Sequence, residues 1–201
     1  MSRIRFAFEK RKFFCFVRHV ELPQLFGRVA RRAGLHVELT QGMSPHPHIV
    51  MGAALPVGVV SLRELAEIWF TDSLPPQEIM ERLNACVPSG LKFLAAREVD
   101  GPSLNKQFNA ASYWLCPRDM PRLGEAKDVL SEALGSEVIL DAKMCSDGLE
   151  LVMSDPSQTG PGALVKALTE RGVISGWSDV CIARLALGTW RADLRAVEPL
   201  L

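Results

Sequence analysis

Hydrophobic periodicity switches along this chain in a fixed order, and that order constrains the fold more than any other feature. Arg3, Ile4, Arg5, Phe6, Ala7 and Phe8 alternate basic and apolar side chains, the period of two expected of a strand with one buried face. A charged turn over residues 9–12 leads to Phe13–Val17, which reads as a second strand. From His19 to Ala33 the spacing becomes helical: Leu22, Leu25, Phe26, Val29, Ala30 and Ala33 share one side, Pro23 suits a first turn, and Gly34 suits the stop. His36–Thr40, His48–Ala54 and Arg63–Thr71 read as strands. Pro75-Pro76 opens a helix to about Val87, and Leu91–Val99 closes the unit as a strand.

Residues 101–112 are polar and rich in turn formers, which marks them as a connecting segment. Beyond them the order returns: a strand at Tyr113–Cys116, a helix at Leu123–Leu134, a hairpin of Val138–Met144 and Leu149–Met153 turning at Asp147-Gly148, a helix at Gly162–Arg171, and a strand at Val180–Leu187. The expectation is an α+β protein of two successive ferredoxin-like units, residues 1–100 and 113–201. Each would place helices on one face of a mainly antiparallel sheet. The apolar tail of Leu194, Val197, Leu200 and Leu201 would either cover the sheet or dock elsewhere.

Composition narrows the class. Hydrophobic residues at 48% and charged residues at 23% are values of a folded domain. No window approaches the roughly 20 apolar residues of a membrane span, and Arg3, Arg5, Lys10, Arg11 and Lys12 interrupt any signal-peptide core, so a cytoplasmic protein is expected. The cysteines at 15, 86, 116, 145 and 181 are an odd number at wide spacing, which gives neither a disulfide framework nor a zinc pattern, nor the close trio an iron–sulfur cluster requires. Charge is unevenly spread. Residues 1–60 hold nine Lys or Arg against three Glu, and the rest of the chain holds the opposite excess, so a basic N-terminal face is expected.

Arg5, Lys12, Arg28, Arg31 and Arg32 are the candidates for phosphate contact, although cations in the last turns of a helix also complement its dipole. Gln41, Gly42 and Ser44 belong to a turn-rich loop, Gly42-Met43-Ser44-Pro45-His46-Pro47-His48, that could present backbone N–H groups to an anion. His19 with Glu21, joined by His46 or His48, could form a proton-transfer pair, since a general base needs an orienting partner within hydrogen-bond reach. His46 and His48 with His19 or His36 could also supply nitrogens to a metal, but no motif supports it and none is assigned. Phenylalanines interleave with basic residues from Arg3 to Phe16, a mixture that could stack bases while contacting phosphates.

Phe13–His19, Arg28–Gly34, Gln41–Pro47 and Leu55-Pro56-Val57-Gly58 together resemble the radical SAM-associated domain of unknown function. That domain occurs fused to, or encoded beside, a cobalamin-binding radical SAM protein. Ser103-Leu104-Asn105-Lys106 and Tyr113 extend the resemblance to about the first 115 residues. Where that family usually has Ser-His-Leu-Asp, this chain has Arg18-His19-Val20-Glu21. Where it usually has Gly-Phe-Asn-Pro-Arg-Pro, this chain has Gly42-Met43-Ser44-Pro45-His46-Pro47. The resemblance implies an accessory, substrate-recognising module for a separate radical SAM enzyme, and modification of RNA is the expected setting. It also implies that the cluster and S-adenosylmethionine belong to that partner and that this chain holds no cofactor. A small histidine-dependent hydrolase or nuclease and a protein–protein scaffold are the alternatives.

Overall fold

The computed structural model describes residues 2–119 and 122–201. Ser2–Lys10 forms β1, Leu22–Arg32 α1, Ile49–Met51 β2, Val60–Phe70 β3, Pro76–Asn84 α2 and Leu91–Glu98 β4. Ala110–Pro117 forms β5, Leu123–Leu134 α3, Ile139–Met144 β6, Leu149–Ser154 β7, Pro161–Glu170 α4, Val180–Arg191 β8 and Ala196–Pro199 β9. The protein is therefore of mixed α+β class. Among the described residues nine strands join in one mostly antiparallel sheet, with four α-helices. The strand order is β4-β1-β3-β8-β5-β7-β6, with β2 added to β3 and β9 to β8.

Period-two alternation decides which side of each strand is buried. Ile4, Phe6 and Phe8 of β1 and Ala66, Ile68 and Phe70 of β3 meet Leu22, Phe26, Val29 and Ala30 of α1 and Ile79 and Leu83 of α2 in one apolar cluster. Phe6, Phe8, Phe26 and Phe93 pack there edge to face, with centroids 5.1–5.2 Å apart in three of the pairs. A second cluster surrounds Tyr113, Leu115, Leu130, Leu151, Leu164 and Leu168, and it also takes in Ala7, Ala53, Leu55, Val59 and Leu65 from the N-terminal half. The halves thus share buried apolar surface. Their sheets join through a short parallel pairing, Val60 with Ala183 and Ser61 with Arg184.

Two predicted strands are absent. Lys12–Phe16 is a 3-10 helix, because Phe14 and Cys15 turn inward on consecutive positions, which an extended segment cannot achieve. Residues 36–40 make only isolated bridges, Val37 to Phe70 and Leu39 to Pro47. α1 begins with Pro23 in its first turn, preceded by a 3-10 turn over His19–Glu21, and ends before Gly34, whose φ of +68° suits glycine. Leu104 and Phe108 of the connecting segment are buried in the shared core. The tail covers the sheet: β9 pairs with β8, and Leu200 and Leu201 pack on the second cluster. No helix among the described residues is long and apolar enough to cross a membrane.

Candidate functional site

The polar side of α1 carries Arg28, Arg31 and Arg32 outward because the apolar stripe of Leu22, Phe26, Val29 and Ala30 is fixed against the sheet. With Leu25, Val29 and Pro88 the three arginines line an open groove. Arg32 donates to the Cys86 carbonyl at 2.6 Å, and Arg28 and Arg31 are exposed. Pro88 also borders a second groove, formed by Glu9, Arg11, Lys12, Asn84 and residues 87–92. Gly90 explains why the two adjoin. A Cβ there would stand 3.1 Å from Phe14 Cβ, so the 88–90 turn lies directly on the Lys12–Phe16 helix. Phe13 on that helix is 89% exposed and Phe16 61%.

Arg5 belongs elsewhere, contrary to the expectation of phosphate contact. It is 2% exposed, and its guanidinium donates to Glu67 Oε1 at 2.7 and 3.0 Å across β1 and β3. Arg3 holds the other oxygen of Glu67 at 2.5 and 2.9 Å. A carboxylate at 0% exposure is affordable only with such pairing, so both arginines are committed internally. Phe6, Phe8 and Phe14 are likewise core, which leaves Phe13 and Phe16 as the aromatics of that stretch open to solvent.

The loop after α1 is seated by Pro47 on Gly27; a Cβ on Gly27 would stand 2.8 Å from Pro47 Cγ. Gln41, Gly42 and Ser44 are exposed around it. His46 closes the loop on Thr40: the Thr40 N–H donates to the His46 carbonyl at 2.8 Å, and Nδ1 of His46 lies 3.1 Å from Thr40 Oγ1. His48 faces another way, with Nδ1 3.2 Å from Glu38 Oε2 and its ring stacked on Trp69 at 3.8 Å. His36 is bound to Asp72 at 3.0 Å, and this bond holds the Asp72 carboxyl below the usual range. Glu21 accepts from the Arg18 N–H at 3.1 Å and from its guanidinium at 2.8 Å, so it caps the chain entering α1. Each of these side chains is thus engaged locally, and no group of three His, Cys, Asp or Glu side chains among the described residues is placed to hold a metal.

A buried polar cluster at the join of the two halves went unread in the sequence. Arg184, 0% exposed, donates through Nη1 to Glu64 at 3.0 and 3.1 Å and to the Ala53 carbonyl at 2.8 Å, through Nη2 to the Ala54 carbonyl at 2.9 Å, and through Nε to the Tyr113 hydroxyl at 3.3 Å. Ser61 donates to Glu64 at 2.6 Å, and Lys10, 1% exposed, donates to the Val17 carbonyl at 3.0 Å. Burial holds Lys10 below its ordinary value, with Glu64 opposing, and pushes the Tyr113 hydroxyl up. Half-buried His19 lies close enough to feel the same charges. Burial lowers its pKa and Glu64 partly restores it, which favours a neutral ring near pH 7. His19 also lines a shallow groove with Val20, Met51, Gly52, Ala54, Asn105 and Ser157. The clue was parity. Lys10 follows Ile4, Phe6 and Phe8 on the apolar side of β1, Glu64 precedes Ala66 and Ile68 on that of β3, and Arg184 sits between Ile182 and Ala186.

The sheet and helices define a mixed α+β protein built on one mostly antiparallel sheet. The chain belongs to a family described as uncharacterised proteins conserved in bacteria, DUF2344, which it matches over residues 3–151. No curated protein sequence matches it. It is similar at 14% identity to the crystal structure of an unknown protein from Galdieria sulphuraria, with 91% of this chain and 98% of that one covered and a TM-score of 0.30. A putative glycine cleavage system transcriptional repressor is similar at 10% identity over 91% of this chain and 98% of its own, with a TM-score of 0.26. Likeness at this level bears on neither fold nor role.

Proposed function

We propose that this protein is an accessory module that works with a separate radical SAM enzyme and holds single-stranded RNA on its basic N-terminal face. The observation that carries this reading is the band running from Arg28, Arg31 and Arg32, past Pro88, to Arg11, Lys12 and the exposed rings of Phe13 and Phe16. Cations that track a backbone beside aromatic rings that stack bases are the general means of gripping a single strand. Lys12, Arg28, Arg31 and Arg32 contact phosphate, Phe13 and Phe16 stack, and the loop from Gln41 to His48, seated on α1, borders the site. The cluster and S-adenosylmethionine reside on the partner. Two ferredoxin-like units carry this arrangement, a reading supported by the strand orders β4-β1-β3-β2 and β8-β5-β7-β6.

Fluorescence anisotropy with a labelled single-stranded RNA tests the binding half. The triple variant Lys12→Glu, Arg28→Glu, Arg31→Glu is expected to bind at least tenfold more weakly, and Phe13→Ala severalfold more weakly; unchanged affinity in the triple variant refutes the site. Recovery of the tagged chain from its native cell tests the other half. A cluster-bearing, S-adenosylmethionine-binding protein is expected in the eluate, and its absence removes the accessory role while leaving RNA binding to stand on the anisotropy alone.

A further inference from the structure

Cys116 of β5 and Cys181 of β8 stand directly opposite one another in antiparallel register. Their neighbours Leu115 and Ile182 are buried in the second apolar cluster, so the two cysteines point together to the other side of the sheet. Cys181 is exposed and Cys116 half-buried. Pro117 fixes the kind of pair they form. It has no N–H, so it suits a non-hydrogen-bonded position opposite Val180; the Arg118 N–H does donate to the Asp179 carbonyl, at 2.7 Å. Alternation then makes Cys116 and Cys181 a hydrogen-bonded pair, for which the Cα atoms stand about 5.5 Å apart. A disulfide spans Cα separations of roughly 4.4–6.8 Å but draws the Cβ atoms to about 3.5–4.5 Å, closer than the roughly 5.5 Å of a hydrogen-bonded pair, so closure pulls the two strands together locally and leaves a strained, readily reduced bond. Cys15, Cys86 and Cys145 have no cysteine opposite them in any strand pairing among the described residues.

We infer that Cys116 and Cys181 are a modification site: a cross-strand dithiol that closes to an intramolecular disulfide on meeting a small disulfide such as oxidised glutathione. Cys181, the accessible thiol, loses its proton and attacks one sulfur of the oxidised glutathione. Its sulfur–sulfur bond breaks, a mixed disulfide forms on Cys181, and one glutathione thiolate leaves. Cys116 then loses its proton and attacks the Cys181 sulfur, closing the protein disulfide and releasing the second glutathione. Two electrons pass from the dithiol to oxidised glutathione, and the two protons end on the released thiols. Burial, with Cys181 and Asp147 nearby, holds the Cys116 thiol above its ordinary value, and its place opposite Cys181 makes the second attack intramolecular. The closed form staples β5 to β8 and reopens with a reducing thiol.

The test is incubation of the full chain in glutathione buffers of rising oxidised fraction, followed by alkylation, digestion and mass spectrometry. A Cys116–Cys181 cross-linked peptide is expected, with loss of two titratable thiols and return of both on reduction. Cys86→Ser should leave the cross-link intact. Cys181→Ala, at an exposed position that does not threaten folding, should abolish it, and Cys116→Ser should trap glutathione on Cys181. Wild-type protein that only accumulates glutathione on Cys181, or keeps both thiols in the most oxidising buffer, overturns the inference.

Discussion

Replacing Glu64 with Gln probes the join between the halves directly. The substitution keeps size and shape but removes the single carboxylate that faces Arg184 at 3.0 and 3.1 Å. What remains around a guanidinium of 0% exposure is neutral acceptors alone, the amide oxygen of the new glutamine, the Ala53 and Ala54 carbonyls and the Tyr113 hydroxyl. Stranding one member of a buried pair costs about 3–5 kcal/mol, because the surviving charge has lost both water and partner. For a chain of this size each kcal/mol moves Tm by about 2–4 °C, so a drop of roughly 6–20 °C is expected. Arg184→Met should cost a similar amount by stranding Glu64. The double variant Glu64→Leu, Arg184→Met should recover most of the loss, since apolar groups need no partner. Urea unfolding followed by tryptophan fluorescence gives all three values. A cost under about 1 kcal/mol for Glu64→Gln, or a double variant as unstable as the two singles summed, would refute the view that this ion pair is compensated desolvation.

Three further outcomes follow from the same structure. His19 is held below its ordinary pKa by burial, so in acid the unfolded chain takes up the proton first; stability should be unaffected above about pH 6.5 and decline as pH falls below it, and His19→Asn should flatten the decline in a pH series of urea midpoints. Asp72 has the opposite sign, with a folded pKa lowered by His36, so its contribution is present above about pH 4, lost below, and missing throughout in Asp72→Asn. Gly188→Ala would drive a methyl into the Glu198 carbonyl, so it should detach β9 from β8; faster amide exchange at residues 196–199 without global unfolding is the expected readout.

Local periodicity carried most of the element order. α3 was legible to the residue because Leu123, Ala126 and Leu130 keep helical spacing and Gly135 follows Leu134. The misreadings came where tertiary contacts outweigh pattern. Phe13–Val17 looks extended, yet Phe14 and Cys15 are drawn inward together under the 88–90 turn. Residues 36–40 alternate like a strand, but β3 and the neighbouring loop each supply only a single bridge, Phe70 to Val37 and Pro47 to Leu39. Arg5 was placed among the phosphate ligands because a basic residue alternating with apolar ones reads as solvent-facing. Glu67, its partner, lies 62 residues away on β3, and no local rule could join them. The cross-strand cysteines were hidden for the same reason, since spacing in sequence does not give register between β5 and β8.

The excess of six positive charges in residues 1–60 also changes meaning once the partners are known. Of the nine cations, Arg3 and Arg5 are spent on Glu67, Lys10 is buried, Arg11 pairs with Glu9 at 2.7 Å, and Arg18 pairs with Glu21 at 2.8 Å. Lys12, Arg28, Arg31 and Arg32 remain, and all four lie along the two grooves that meet at Pro88. The proposed RNA binding then has two electrostatic accounts, which its salt dependence separates. Each cation that neutralises a phosphate on a single strand contributes about −0.7 to the slope of log affinity against log salt. Binding by the whole basic segment would give about −6, whereas binding by the band alone gives about −3. A salt titration of the wild-type chain should therefore return the smaller slope, and Arg5→Ala, provided it folds, should leave that slope unchanged. A slope near −6 would mean that the internal pairs open on binding, and the band around Pro88 would no longer be the site.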